Sequence, residues 1–184
     1  MLQARDIPNI ISFARIILVF PVIWSLLNHY YKSALLLFLV AGISDALDGF
    51  LARQFKWQSY LGGIIDPLAD KFLLVSAYIC LGWLEALPWW LVGLIVLRDV
   101  VIVVGALAYH YRIRQLDADP SLISKLNTGV QIFLVLLVVY NLGFSTAYAW
   151  MNNWLIWIVA TTTVLSGLDY VVSWSNKARR EMKG

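Results

Sequence analysis

Four aspartates, Asp45, Asp48, Asp66 and Asp70, stand within the stretch "SDALDGFLARQFKWQSYLGGIIDPLADKF", flanked by the apolar runs "SALLLFLVAG" and "LLVSAYICLGWL". Asp45 and Asp48 are three residues apart, with Ala52 one turn later; Asp66 and Asp70 are four apart, with Gly62 one turn earlier. On a helix, residues at these spacings share a face. Two antiparallel helices joined by a short loop can therefore point all four carboxylates at one another. Carboxylates that close cannot all ionise without counter-charge, since each raises its neighbours' pKa. Arg53 and Lys71 are too few to balance them. Hard divalent cations that prefer oxygen ligands, Mg2+ or Mn2+, supply the missing charge and are often shared with substrate phosphates. Two such ions can activate an attacking oxygen and stabilise a leaving one. The cluster holds no Cys or His, which argues against zinc.

Glycine costs about 1 kcal/mol in a helix interior, so Gly49 and Gly62 beside this cluster call for a reason. Close helix packing is one, and is common for small residues in membranes. Room for a bulky ligand such as a nucleotide against bare backbone is the other. Arg53 is suited to holding a phosphate by paired hydrogen bonds. Against a purely structural polar network stands the rule that ionisable groups within membranes serve function by default. Spacing and location thus point to metal and phosphate chemistry.

The elements that position these residues follow from composition. The chain of 184 residues is 61% hydrophobic and 14% charged, where a soluble domain is roughly a quarter charged. No charged side chain occurs from residue 126 to residue 168, and a transmembrane helix needs only about 20 apolar residues. We read an all-α integral membrane protein with six transmembrane helices, roughly 8–29, 33–55, 61–84, 88–111, 122–142 and 150–174. Helices are required because backbone polar groups in hydrocarbon must pair within their own segment. The alternating strands of a barrel are absent. "EALP" at 85–88 and "NLGFSTAYAWMNN" at 141–153 read as turns. Without repeats or linkers, residues 1–184 form one membrane domain. The N-terminal apolar stretch is interrupted by Arg15 and lacks a clear cleavage site, so it is expected to be a retained helix rather than a signal peptide. Cys80, the single cysteine, is read as a packing residue.

Basic residues fall near Arg5, in the loop with Arg53 and Lys56, around Arg112 to Lys125, and in the tail "NKARREMKG"; the opposite side has Lys32. By the bias of Lys and Arg toward cytoplasmic loops, both termini and the acidic motif face the cytoplasm. The net charge of +3 has the same origin and does not indicate nucleic acid. Trp89, Trp90, Trp150 and Trp154 form an aromatic belt on the outer side. The tail is expected to anchor to anionic headgroups.

Written as D-x2-D-G-x2-A-R-x8-G-x3-D-x3-D, the motif is filled by Asp45, Asp48, Gly49, Ala52, Arg53, Gly62, Asp66 and Asp70 without departure. It resembles the signature of the CDP-alcohol phosphatidyltransferase family, whose six-helix fold the span count also matches. The resemblance implies transfer of a phosphatidyl group from a CDP-lipid to an alcohol with release of CMP. By position, Asp45, Asp48, Asp66 and Asp70 correspond to the ligands of two divalent cations, Asp70 also to the proposed general base. Gly49, Ala52, Arg53 and Gly62 correspond to positions that accommodate the CDP group. A homodimer is implied as well.

The motif does not name the acceptor alcohol. "LRDVVIVVGALAYHYR" at 97–112 and "PSLISKLNTGVQ" at 120–131 resemble the eukaryotic-type cardiolipin synthases of this family, which implies CDP-diacylglycerol and phosphatidylglycerol as substrates. The setting expected is a bacterial inner membrane with the active site facing the cytoplasm. Arg98 and Lys125 are the first candidates for the acceptor's phosphate, with Arg15 and Arg112 behind them; Asn127 and Thr128 either line the acceptor site or bond between helices. Arg98 can instead pair with a nearby acid, and Lys125 can simply follow the cytoplasmic bias. Asp99 is expected to pair with a basic residue; His29 and His110 are read as interface residues, and Asp169 has no assigned role. The rival reading within the family is a phosphatidylglycerophosphate synthase using glycerol 3-phosphate. A cation transporter is more remote, because such sites favour the bilayer midplane and repeated halves.

Overall fold

Six long helices carry the chain: α1 (Ile7–Leu27), α2 (Tyr31–Gln54), α3 (Gly62–Trp83), α4 (Trp89–Arg112), α5 (Leu122–Gly143) and α6 (Ala149–Glu181). This computed structural model describes the backbone of residues 7–54, 62–112 and 121–181, and the side chains of residues 13–45, 71–105 and 121–173. Among the described residues there is no strand. The helix bounds lie within about two residues of the predicted spans, with two differences near the end of the chain. The turn expected over 141–153 is shorter: α5 runs to Gly143, a 3-10 turn covers Thr146–Tyr148, and Asn152 and Asn153 are helical. The basic tail through Glu181 continues α6 as helix rather than starting a separate element.

The helix ends show how the connections stay short. After α1 the Tyr30 N–H donates to the Ser25 carbonyl at 2.8 Å and the His29 N–H to that of Leu26 at 3.1 Å. After α3 the Ala86 N–H donates to Leu81 at 2.9 Å and the Glu85 N–H to Gly82 at 3.1 Å. Both are Schellman caps, and the residues in the left-handed position are His29 (φ 61°) and Glu85 (φ 58°) rather than the usual glycine. At the start of α5 the Ser121 hydroxyl accepts the Ser124 N–H at 3.3 Å, a serine N-cap.

The chain divides into two compact units: Met1–Leu87 with Val135–Tyr148, and Pro88–Leu134 with Ala149–Gly184. In the first, α1 packs against both α2 and α3 around a core that includes Val19, Val22, Phe38, Tyr78 and Leu81. In the second, α4 packs against α6 around Leu91, Ile95, Leu134 and Val159.

Among the described residues the surface is as apolar as the core, and several polar groups are turned inward. Phe20, Trp24, Leu36, Leu97, Phe133 and Leu168 are exposed, while Arg15, Arg98, Asn127, Gln131, Thr163 and Ser166 are buried. Exposed apolar surface on this scale marks a surface that does not meet water, and polar groups turned inward are what a lipid-facing bundle requires. By length and composition, Leu122–Gly143 and Thr146–Ser173 are apolar enough to cross a membrane among the described residues, and most of each lies on the surface. The protein is membrane-embedded.

Candidate active site

In the first unit, the buried stripes of the helices lead toward the acidic motif. Along α1, Arg15, Val19, Val22 and Leu26 are buried at three- and four-residue steps, with Ser25 buried beside them, so Arg15 is the charged member of a mostly apolar packed face. Along α2, Ala34, Phe38 and Ala41 are buried, and the same register continues through positions 45, 48 and 52. Along α3, the buried Leu81, Ala77 and Leu73, followed back toward the start of the helix, lead to positions 70, 66 and 62. Positions 45, 48 and 52 of α2 and 62, 66 and 70 of α3 thus stand in sequence register with the buried residues of two helices that both contact α1. The side chains of Asp48, Gly49, Ala52, Arg53, Gly62, Asp66 and Asp70 lie outside the described residues.

Asp45 is described, and its partner comes from α1. Arg15 Nη1 donates to Asp45 Oδ1 at 2.8 Å, with the arginine side chain 1% exposed and the aspartate 43% exposed. At 1.5 Å rise per residue, the two lie about 18 Å and about 21 Å from the tight α1–α2 connection, the matching depths that an antiparallel helix pair needs. Sequence spacing placed Arg15 only among remote candidates for the acceptor's phosphate. The fold places it on the first aspartate of the motif and adds a cation to the charge balance that Arg53 and Lys71 left short.

Asp45 suits a hard cation. A carboxylate offers about four lone-pair sites; Arg15 occupies one at Oδ1, and the side chain is only partly buried. Among the described residues no three Asp, Glu, His or Cys side chains come together; Asp45 is the one motif aspartate whose side chain is described.

The second unit contains a polar seam. Arg98 on α4 donates from Nη1 to Asp99 Oδ1 at 2.7 Å and from Nη2 to the Ser124 hydroxyl of α5 at 2.7 Å and the Ser166 hydroxyl of α6 at 2.5 Å. Its guanidinium lies over the Tyr170 ring, 5.8 Å from the centroid. Further along, the fully buried Asn127 accepts at Oδ1 from Thr162 at 2.8 Å and Thr163 at 3.0 Å, and Gln131 donates to Thr163 at 3.3 Å. Two buried donors, Arg98 Nε and Asn127 Nδ2, find no acceptor among the described residues.

The seam unites Arg98 and Asn127, two of the predicted acceptor residues, and shows that Asp99 pairs with a basic residue as expected. Lys125 is exposed and stands outside the seam's hydrogen bonds. Thr128 donates to the Ser124 carbonyl within α5 at 3.1 Å. The side chain of Arg112 lies outside the described residues. Ser124, Gln131, Thr162, Thr163 and Ser166 were not anticipated. A signal was present: the polar residues of α5 at 124, 127 and 131, and of α6 at 163 and 166, recur at helical spacing.

Comparison with known proteins bears on the chemistry. A family model described as CDP-alcohol phosphatidyltransferase matches residues 5–165. A Schizosaccharomyces pombe protein, "Cardiolipin synthase (CMP-forming) / mitochondrial hydrolase fusion protein", is 33% identical over 91% of this chain and 31% of its own length. A chloroplastic CDP-diacylglycerol--glycerol-3-phosphate 3-phosphatidyltransferase of Oryza sativa is 32% identical over 92% of this chain and 57% of its own. A probable phosphatidylglycerophosphate synthase of Mycobacterium tuberculosis is 32% identical over 99% of this chain and 86% of its own. The chain thus spans less than two thirds of the first two relatives.

Proposed function

The chain belongs to the CDP-alcohol phosphatidyltransferase family, and on that premise we propose that it is a cardiolipin synthase acting on CDP-diacylglycerol and phosphatidylglycerol. The observation that supports this reading is the contact of the buried Arg15 with Asp45, the first aspartate of the motif. The primary hydroxyl oxygen of phosphatidylglycerol forms a bond to the phosphorus that bears diacylglycerol. The bond from that phosphorus to the bridging oxygen breaks, and CMP leaves with the oxygen and the electron pair. Asp70 takes the hydroxyl proton, a general-base role worth typically 10²–10⁴-fold in rate. Gly49, Ala52, Arg53 and Gly62 accommodate the CDP group. Asp45, Asp48, Asp66 and Asp70 would hold two divalent cations, Mg2+ or Mn2+, which when bound would supply charge neutralisation for the diphosphate and the departing CMP.

For the acceptor, the seam of the second unit supports a phosphodiester. The charge of Arg98 is already met by Asp99, so little net positive charge is left for a dianionic phosphate. The buried Arg98 Nε and Asn127 Nδ2 retain donor capacity for oxygen. Lys125 and Arg112 lie toward the expected cytoplasmic side, where the headgroups of two lipids in one leaflet would meet. The wider reading is a single membrane domain over residues 1–184 with six spans and both termini cytoplasmic. It would act as a homodimer in a bacterial inner membrane, with the active site facing the cytoplasm.

The names of the rice and mycobacterial relatives favour a second reading, transfer to glycerol 3-phosphate. Purified protein supplied with CDP-diacylglycerol and Mg2+ or Mn2+ is offered each acceptor in turn, with CMP and lipid product measured. Phosphatidylglycerol is expected to give CMP and cardiolipin. A lipid product with glycerol 3-phosphate alone overturns the cardiolipin reading, and no CMP with either acceptor overturns the transferase reading.

A further inference from the structure

We infer that Arg15 is a positioning residue for the metal site: through its hydrogen bond to Oδ1 it holds Asp45 so that the other carboxylate oxygen is presented to a divalent cation. The inference rests on the proposed metal-dependent function but concerns a residue outside the aspartate motif. Three observations support it. Arg15 is 1% exposed and sits in line with Val19, Val22 and Leu26 on the packed face of α1, so its position is set by the core of the first unit rather than by solvent. Its contact with Asp45 is short, 2.8 Å, and charge-assisted. Asp45 is 43% exposed, so the same side chain has one oxygen bonded to a buried guanidinium while the group as a whole is only partly buried. Such burial also places Arg15 poorly for a lipid phosphate, which would have to displace Asp45 to reach it.

A guanidinium next to a cation ligand repels the cation, and by charge alone its removal would tighten metal binding. A free aspartate, however, samples several rotamers and must be ordered when the metal arrives. Hydrogen-bonded outer groups that fix ligand orientation are typically worth 10–100-fold in metal affinity. The contact from the packed face of α1 makes orientation the larger effect here.

The test is Mn2+ binding to the purified full chain without lipid substrates, read by the loss of the free-ion electron paramagnetic resonance signal. Far-UV circular dichroism and thermal unfolding run in parallel. Arg15→Met is expected to weaken Mn2+ binding about 10–100-fold while helix content is retained. Arg15→Lys, which keeps a donor and the charge, is expected to recover most of the affinity. In turnover, the Mg2+ concentration for half-maximal CMP release should rise in Arg15→Met more than the maximal rate falls. A folded Arg15→Met protein that binds Mn2+ as tightly as wild type, or more tightly, overturns the inference. Should that variant fail to fold, Arg15→Gln, neutral but still a donor, is expected to bind several-fold more weakly than wild type; unchanged or tighter binding again overturns it. Wild type that binds no Mn2+ at all overturns the metal-dependent function itself, a result distinct from an unaltered variant.

Discussion

Replacing Arg98 with methionine keeps most of the side chain's length and removes the guanidinium at the centre of the polar seam. Three hydrogen bonds disappear, to Asp99, Ser124 and Ser166. The Arg98 and Asp99 side chains are 5% and 13% exposed, so their ion pair is not screened by solvent. Removing one partner of a buried pair costs about 3–5 kcal/mol, because the other charge stays desolvated. Each serine bond adds about 0.6 kcal/mol, the average for hydrogen bonds between membrane helices. The expected loss is therefore about 4–6 kcal/mol, dominated by the ion pair. Unfolding in mixed detergent micelles with increasing dodecyl sulfate, followed by circular dichroism, measures it. Because the cost comes from a buried carboxylate deprived of the guanidinium, Arg98→Met with Asp99→Asn is expected to recover most of it, leaving roughly the 1 kcal/mol of the serine bonds. An Arg98→Met protein within about 1 kcal/mol of wild type would refute the reasoning, as would a double variant no more stable than the single. The same pair of proteins separates stability from acceptor binding. If Arg98 meets the acceptor, KM for phosphatidylglycerol rises in both, whereas a purely structural role leaves the stabilised double variant near wild type.

Two further outcomes are expected. Asp70→Asn should lower the rate of CMP release by about 10²–10⁴-fold, measured with CDP-diacylglycerol and acceptor at saturation; full release would remove Asp70 as the base. Gly143→Ala should destabilise by about 1–3 kcal/mol, since an added Cβ would sit 2.9 Å from Tyr31 Cβ and 3.3 Å from the Lys32 backbone nitrogen. Gly129→Ala is the control: nothing lies within 4 Å of a Cβ there, so its unfolding midpoint should match wild type or exceed it.

Much of this protein was legible from local pattern. Helices followed from the absence of water in hydrocarbon, which leaves each segment to satisfy its own backbone, and runs of apolar residues broken by "EALP" and by the stretch near Gly143 placed them closely. The spacing of Asp45, Asp48, Asp66 and Asp70 pointed to metal and phosphate chemistry, because residues three and four apart share a helical face whatever surrounds it. The helix stops at His29 and Glu85 were harder to read as caps, since neither position carries the glycine that usually marks one.

What only the tertiary structure decided is which face of each helix turns inward and what it meets. In water, an apolar stripe marks the packed side. Here Leu36, Leu39 and Ile43 on the outer surface of α2 are as apolar as the buried Phe38, so composition does not tell inside from outside. The rotation of α1 about its axis brings Arg15 to Asp45, a contact between separate helices that spacing within either one does not encode. The mutual register of α4, α5 and α6 likewise surrounds Arg98 with Asp99, Ser124 and Ser166. The sequence by itself determined the helices and the acids on them; the packing of one helix on another decided which cation holds the first of those acids.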